Sequence, residues 1–233
     1  MTRTSEHLTA QHTGVILFLG APGSGKGTQS AWLSRELGIP SLSTGDMLRA
    51  EARQKTRAGL KLRKLMASGA LVDDKQVCHA VSARLHRELP KHGLILDGFP
   101  RTIAQAECLD SVLSEMGLPA PLILHLDVSR EKLVRRMTAR RHCGRCGSIY
   151  NLLSRPSSLG ERCENDGTEL QQRSDDNEET IRRRFLEFDL TCAPLVEYYS
   201  KGNYHRIDGD REPEAVSADL LEIFGRGQTR AAA

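Results

Sequence analysis

Two stretches of the chain hold residues whose types and spacing could do chemistry. Residues 20–28 read GAPGSGKGT, and Cys143, Cys146, Cys163 and Asp166 fall in two close pairs. In the first stretch, Gly20, four residues, then Gly25-Lys26 match the phosphate-binding loop pattern. Glycines let the backbone turn its N–H groups inward, and the helix that follows adds the positive end of its dipole. Gly23, Ser24, Gly25, Gly27 and Thr28 would line the hollow, and the Lys26 ammonium would reach the outer phosphates of a nucleotide. The general pattern places Ser or Thr directly after the lysine; here Gly27 intervenes before Thr28. Such a loop fits a switch, a motor or a transferase equally well.

In the second stretch, Cys143-x2-Cys146 is followed by sixteen residues and then Cys163-x2-Asp166. Two knuckles at this separation have the spacing of a Zn²⁺ ribbon, with a carboxylate oxygen as the fourth ligand. Four protein ligands leave no open position for water, so the expected metal is structural. Three free thiols, or a redox pair, are the alternatives. Cys78, Cys108 and Cys192 lie in helical patterns with apolar neighbours and read as core.

The chain has 233 residues, enough for one sizeable domain with insertions. A net charge of +3 is too small to imply a polyanion partner, and aromatics are too few at 4% to stack successive bases. We therefore expect no nucleic-acid partner. Apolar runs such as VILFL stop at about five residues where a membrane span needs about 20. The first fourteen residues have no apolar core and read as a loose arm rather than a secretory signal. A cytoplasmic protein without a membrane partner is expected, with its cysteines binding metal rather than pairing as disulfides.

Elements must position these residues. Residues 15–19, 94–97, 122–128 and 204–207 read as buried strands, with a shorter one near 41–42. Helical patterns fall at about 75–89, 102–116, 129–141, 177–199 and 212–224. The alternation implies an α/β fold, a parallel sheet with helices on both faces. Ligands of such sheets bind beyond the carboxyl ends of the strands, and the strands ending at Gly20 and Asp97 would open into one crevice. Residues 44–72 and 141–174 break the alternation and read as insertions on that side.

GAPGSGKGTQ, STGDMLR at 43–49, LDGFPRT at 96–102 and RSDDNEETIRRR at 173–184 together resemble adenylate kinase in its long-lid form. The resemblance runs from about residue 14 to 224. It implies the P-loop nucleoside monophosphate kinase fold: a five-stranded parallel sheet with two mobile insertions. The core would comprise 14–42, 73–138 and 177–224, the AMP-binding flap 43–72 and the lid 139–176. Residues 1–13 and 225–233 would be flexible ends. It also implies phosphoryl transfer between ATP and AMP, giving two ADP, by a monomer. Thr44, Arg49, Val72, Gly98, Arg101 and Gln105 would form the AMP pocket, with Gln105 reading the adenine edge. Asp97, through water, and Thr28 would hold Mg²⁺. Arg136 and Arg140, four apart on a helical pattern and so on one face, would clamp ATP, and Arg211 would lie near its base. Lys26, Arg101, Arg136, Arg173 and Arg184 would stabilise the transferred group, Arg173 and Arg184 also touching AMP, with Asp175 and Asp176 orienting the arginines. Arg182 and Arg183 read as a solvated face. The family often has lysine where Ala70 stands and histidine where Asn151 stands. Competing readings are a kinase for UMP or CMP, a nucleic-acid-binding zinc-ribbon ATPase and a nucleotide sensor without catalysis.

Overall fold

The computed structural model describes residues 14–68, 72–88, 93–173 and 175–230. The expected N-terminal arm, Ala70 and the last three residues lie outside them. In chain order the elements are β1 (Val15–Leu19), α1 (Lys26–Leu37), β2 (Ser41–Ser43), α2 (Thr44–Ala52), α3 (Arg57–Ala67), α4 (Asp74–Glu88), β3 (Leu94–Asp97), α5 (Ile103–Glu115), β4 (Leu122–Asp127), α6 (Arg130–Thr138), β5 (Arg140–Cys143), β6 (Ile149–Asn151), β7 (Leu170–Gln171), α7 (Glu178–Glu187), a π-helical turn (Phe188–Cys192), α8 (Pro194–Tyr199), β8 (Tyr204–Asp208) and α9 (Pro213–Arg230).

Five strands form a parallel sheet in the order β2-β3-β1-β4-β8. β1 is buried along its whole length because both of its faces are covered. Strand side chains alternate, so Val15, Leu17 and Leu19 join one core with Val81, Leu85 and Leu109 from α4 and α5. Ile16 and Phe18 join a second core with Leu33 and Leu37 from α1 and Val216 and Leu220 from α9. Phe18 and Ser43 both pair with Asp97, which brings the carboxyl ends of β1, β2 and β3 to one level. Among the described residues, no helix is long and apolar enough to cross a membrane.

Three elements differ from the sequence expectation. The helix expected over 129–141 stops at Thr138, with Ala139 as its cap, and Arg140 starts a strand paired with Asn151. The Asn151 amide donates to the Arg136 carbonyl at 2.9 Å and satisfies the helix end. No Gly or Pro marks that stop, so only the pairing partner could reveal it. The pattern over 177–199 divides into α7, the π-helical turn and α8, since Pro194 has no N–H to continue a helix and begins a new one. The last helix runs on to Arg230 instead of ending at 224. Residues 140–171 also form a small antiparallel sheet, β6-β5-β7, where no strand was anticipated.

Candidate active site

A cavity of about 1550 Å³ opens above the carboxyl ends of the sheet. The loop after β1 forms its floor. Gly20, Gly23 and Gly25 all have positive φ, at 141°, 85° and 99°. At Gly20 an added Cβ would stand 2.6 Å from the Leu126 carbonyl oxygen, so no other residue fits the turn. α1 starts at Lys26 with its N-terminus facing the cavity floor. The Lys26 ammonium donates to the carbonyls of Gly20 at 2.6 Å and Ala21 at 3.0 Å. Burial pulls it down to about 8; Asp97 opposes that pull, and Arg101 adds to it. Asp97 sits where β3 ends, and burial pushes its carboxyl up against the pull of Lys26 and Arg101. Its Oδ2 lies 3.3 Å from where a Cβ on residue 27 would stand, which gives the unexpected Gly27 a physical reason. Thr28 is exposed and lines the same cavity.

A smaller pocket, of about 60 Å³, adjoins it and is lined by Thr44, Arg49, Val72, Gly98, Arg101, Gln105 and Arg184. Thr44 donates to the Gly98 carbonyl at 2.8 Å, tying the start of α2 to the end of β3. Gly98 has φ 81°, and its Cβ position lies 3.1 Å from Thr44 Oγ1. Arg101 Nε donates to the Gly98 carbonyl at 2.9 Å. The Gln105 side chain is already engaged: its Oε1 accepts from Arg101 N at 2.8 Å and its Nε2 donates to Asp74 at 2.7 Å. One N–H and one lone pair remain for a ligand. Arg49 is held by Asp46 at 2.5 Å. Sequence reasoning missed Asp46 and Asp74. Asp46 stands three residues before Arg49 on one helix and could have been found from that spacing; Asp74 meets Gln105 only through the fold.

Between the two pockets the arginines converge. Arg140 makes a forked contact with the buried Asp176, its Nε bond being 2.7 Å. Arg184 reaches Asp175 at 2.6 Å. Burial pushes the Asp175 carboxyl up, but Arg184, Arg140 and Arg173 outweigh it and hold it below the usual range. Arg173 and Arg184 are both drawn down to about 10, by burial first. For Arg173 the nearby Arg140 and Arg49 add to this, and its buried Nε has no hydrogen-bond partner. Basic side chains lining the large cavity outnumber acidic ones by two to one. Arg136 and Arg140 do share this cavity, but not as one helix face: Arg136 is on α6 and Arg140 on β5. Arg136 donates to the Gly209 carbonyl at 2.9 Å, and Arg211 turns onto α9, to Asp219 at 2.8 Å. Crowded like charges around a guanidinium whose buried Nε lacks a partner are costly unless an anion joins them. The arrangement can therefore hold a chain of phosphates.

The model of the adenylate kinase family matches residues 18–204. Adenylate kinase of Thermodesulfovibrio yellowstonii is 49% identical over 210 residues, which is 90% of this chain and 98% of that protein. Those of Archaeoglobus fulgidus and Bacillus subtilis are 43% and 40% identical over 90% of this chain and 97% of each.

The chain belongs to the adenylate kinase family.

In this family member the cysteine cluster closes as its spacing foretold. The ligand atoms of Cys143, Cys146, Cys163 and Asp166 all lie within 4.8 Å of one another. Cys146 and Cys163 sulfurs are 3.5 Å apart, and Cys143 Sγ is 3.4 Å from Asp166. Each knuckle turns on a glycine of positive φ, Gly147 or Gly167, whose N–H bonds back to the carbonyl of Cys143 or Cys163. The Ser148 side chain and backbone help draw the Cys146 thiol down to about 7, and the Thr168 N–H brings Asp166 to about 2. These two shifts favour the anionic forms a cation needs, whereas burial pushes the Cys163 thiol up. Asn151, where histidine was the family expectation, braces the α6 end with its amide and the turn at Leu153 with its carbonyl.

Proposed function

We propose that the protein is an adenylate kinase that reversibly transfers the γ-phosphoryl group of ATP to AMP, giving two ADP. The observation that carries this reading is the half-buried Arg173, its buried Nε unpartnered and Arg49 and Arg140 close by. A single nucleotide at the loop leaves the smaller, arginine-lined pocket unexplained; two nucleotides end to end account for both.

In this reading the loop and Lys26 hold the ATP phosphates, Arg136 and Arg140 clamp them, and Arg211 flanks the base. Thr44, Arg49, Val72, Gly98, Arg101 and Gln105 hold AMP. An ionised oxygen of the AMP phosphate attacks the γ-phosphorus in line, and the bond from that phosphorus to the β-bridging oxygen breaks. No general base is required, because the attacking oxygen carries no proton at neutral pH. Positioning and positive charge do the work, supplied by Lys26, Arg101, Arg136, Arg173 and Arg184. Forked guanidinium groups suit the equatorial oxygens better than ammonium does. Asp97, through water, and Thr28 are the groups that would hold Mg²⁺, which neutralises phosphate charge when bound with ATP. Three thiolates and a carboxylate at the spacing found here suit Zn²⁺ as a structural ion in the lid. The flap at 43–72 and the lid at 139–176 close over the nucleotides and exclude water. A monomer acting on free nucleotides in the cytoplasm completes the reading.

A coupled assay of ADP formation tests it. ADP should form from ATP only when AMP and Mg²⁺ are both present, with CMP, UMP and GMP far poorer acceptors. Turnover of ATP that ignores AMP, or that prefers CMP or UMP, overturns the proposal. Metal analysis of the purified protein should return about one zinc per chain.

A further inference from the structure

Arg183 reads from the sequence as part of a solvated face, yet the fold gives it a distant partner. Its guanidinium donates to the carbonyl of Ser68 at 3.0 Å, across 115 positions of the chain. Ser68 is the residue that caps the C-terminal end of α3. That end carries unsatisfied carbonyls and the negative pole of the helix dipole, so a cation is well placed there. The acceptor is stiff, because Ser68 also donates its hydroxyl to the Leu65 carbonyl at 2.7 Å. The donor is stiff too: α7 begins with an Asn177 cap and buries Ile181 and Phe185 against Leu133 and Met137 of α6. The intrahelical neighbour Glu179 is a looser partner, at 3.5 Å.

The position of this bond matters more than its strength. Thr44 pins the beginning of the flap to the end of β3. Arg183 pins its last helix to α7, and the next residue along, Arg184, lines the small pocket. We propose that Arg183 is a positioning residue: it fixes the exit of the flap against α7 and so sets how tightly AMP is held, without touching AMP. This rests on the function proposed above.

Steady-state kinetics of Arg183→Ala, Arg183→Lys and Glu179→Ala, with each nucleotide varied in turn, test it. In Arg183→Ala the KM for AMP should rise about two- to fivefold, as loss of a half-exposed charged contact implies, while the KM for ATP and kcat stay near the native values. Lysine can still donate to a carbonyl and should recover part of the loss. Glu179→Ala should behave as native. Equal rises in both KM values, no rise at all, or a Glu179→Ala variant as impaired as Arg183→Ala overturns the inference. Hydrogen exchange of the ligand-free proteins gives a second readout: protection over residues 57–68 should fall in Arg183→Ala while the β-sheet is unchanged, and equal protection there counts against the proposal. A native protein that makes no ADP from AMP sinks the functional reading instead, and the exchange result still decides this one.

Discussion

Around β1 the protein buries two clusters of apolar side chains, one on each face of the sheet, drawn from five helices and every strand of the sheet except β2. Residues 140–171 have nothing comparable. Their apolar cluster is Cys143, Tyr150 and Cys163, with Leu170 packed alongside, and two of its three buried members are cysteines. The sheet is stabilised by removing apolar area from water, and its charged site is laid over a frame that stands without it. The cysteine-bearing segment has too little to bury, as is usual for very small units, which need a metal or a disulfide. On the zinc reading proposed above, the metal ligands supply what this apolar cluster cannot. The comparison teaches that function is a cost to the first region and a support to the second.

Four measurements would break or sharpen that contrast. The largest effect is expected at the cysteines. Cys163→Ser, or a strong chelator, should remove metal binding worth about 10 kcal/mol in small zinc units. Hydrogen exchange should then rise sharply over 140–171 and hardly at all in β1, β3 and β4. Uniform loss of protection would mean that both regions share one cooperative core.

Lys26→Met should lower kcat by about 100-fold or more, yet raise the melting temperature. The sign follows from its depressed proton affinity. The folded chain releases the Lys26 proton near pH 8, whereas the unfolded chain keeps it up to the ordinary lysine range. Across that window the unfolded state holds more protons, so stability rises with pH. At pH 7 the native protein carries the full penalty of a buried charge, and the methionine variant does not. Thermal melts of the ligand-free proteins at several pH values should show the gap narrowing above pH 8, and the native kcat/KM for ATP, which reports the free enzyme, should decline over the same range as the charge is lost. A methionine variant less stable than native at pH 7 would refute the claim that this lysine is held at a cost.

Asp176→Asn should destabilise by about 3 kcal/mol, since it leaves Arg140 buried without its counter-charge. Denaturant titration reads this directly, and a change within error would mean that water reaches the pair. The smallest effect is expected at Gly98. With φ at 81° and Thr44 Oγ1 3.1 Å from the Cβ position, Gly98→Ala should cost about 1–3 kcal/mol and weaken AMP more than ATP. Equal losses for both nucleotides would detach Gly98 from the small pocket.

Much of this was legible in the chain. The loop glycines, Lys26 and the four metal-type ligands sit close in sequence, and local spacing alone describes them. β1 and β3 were readable as unbroken apolar runs. The end of α6 was not, because it is enforced by Asn151 and by pairing with β6 rather than by any breaker. The arginine cluster was gathered from separated blocks by family resemblance, and nothing local told Arg183, which reaches another element, from Arg182, which pairs with Glu178 one turn away.

The sequence by itself determined the phosphate loop, the knuckles and the alternation of strands with helices, since each depends on residues a few positions apart and on backbone freedom that only glycine has. Tertiary structure alone decided which distant polar groups meet. Asp74 with Gln105, Arg140 with Asp176 and Arg183 with Ser68 are separated by 31, 36 and 115 positions. Electrostatic partnership depends on distance in space and on burial, and neither exists until the sheet has brought the ends of its strands together.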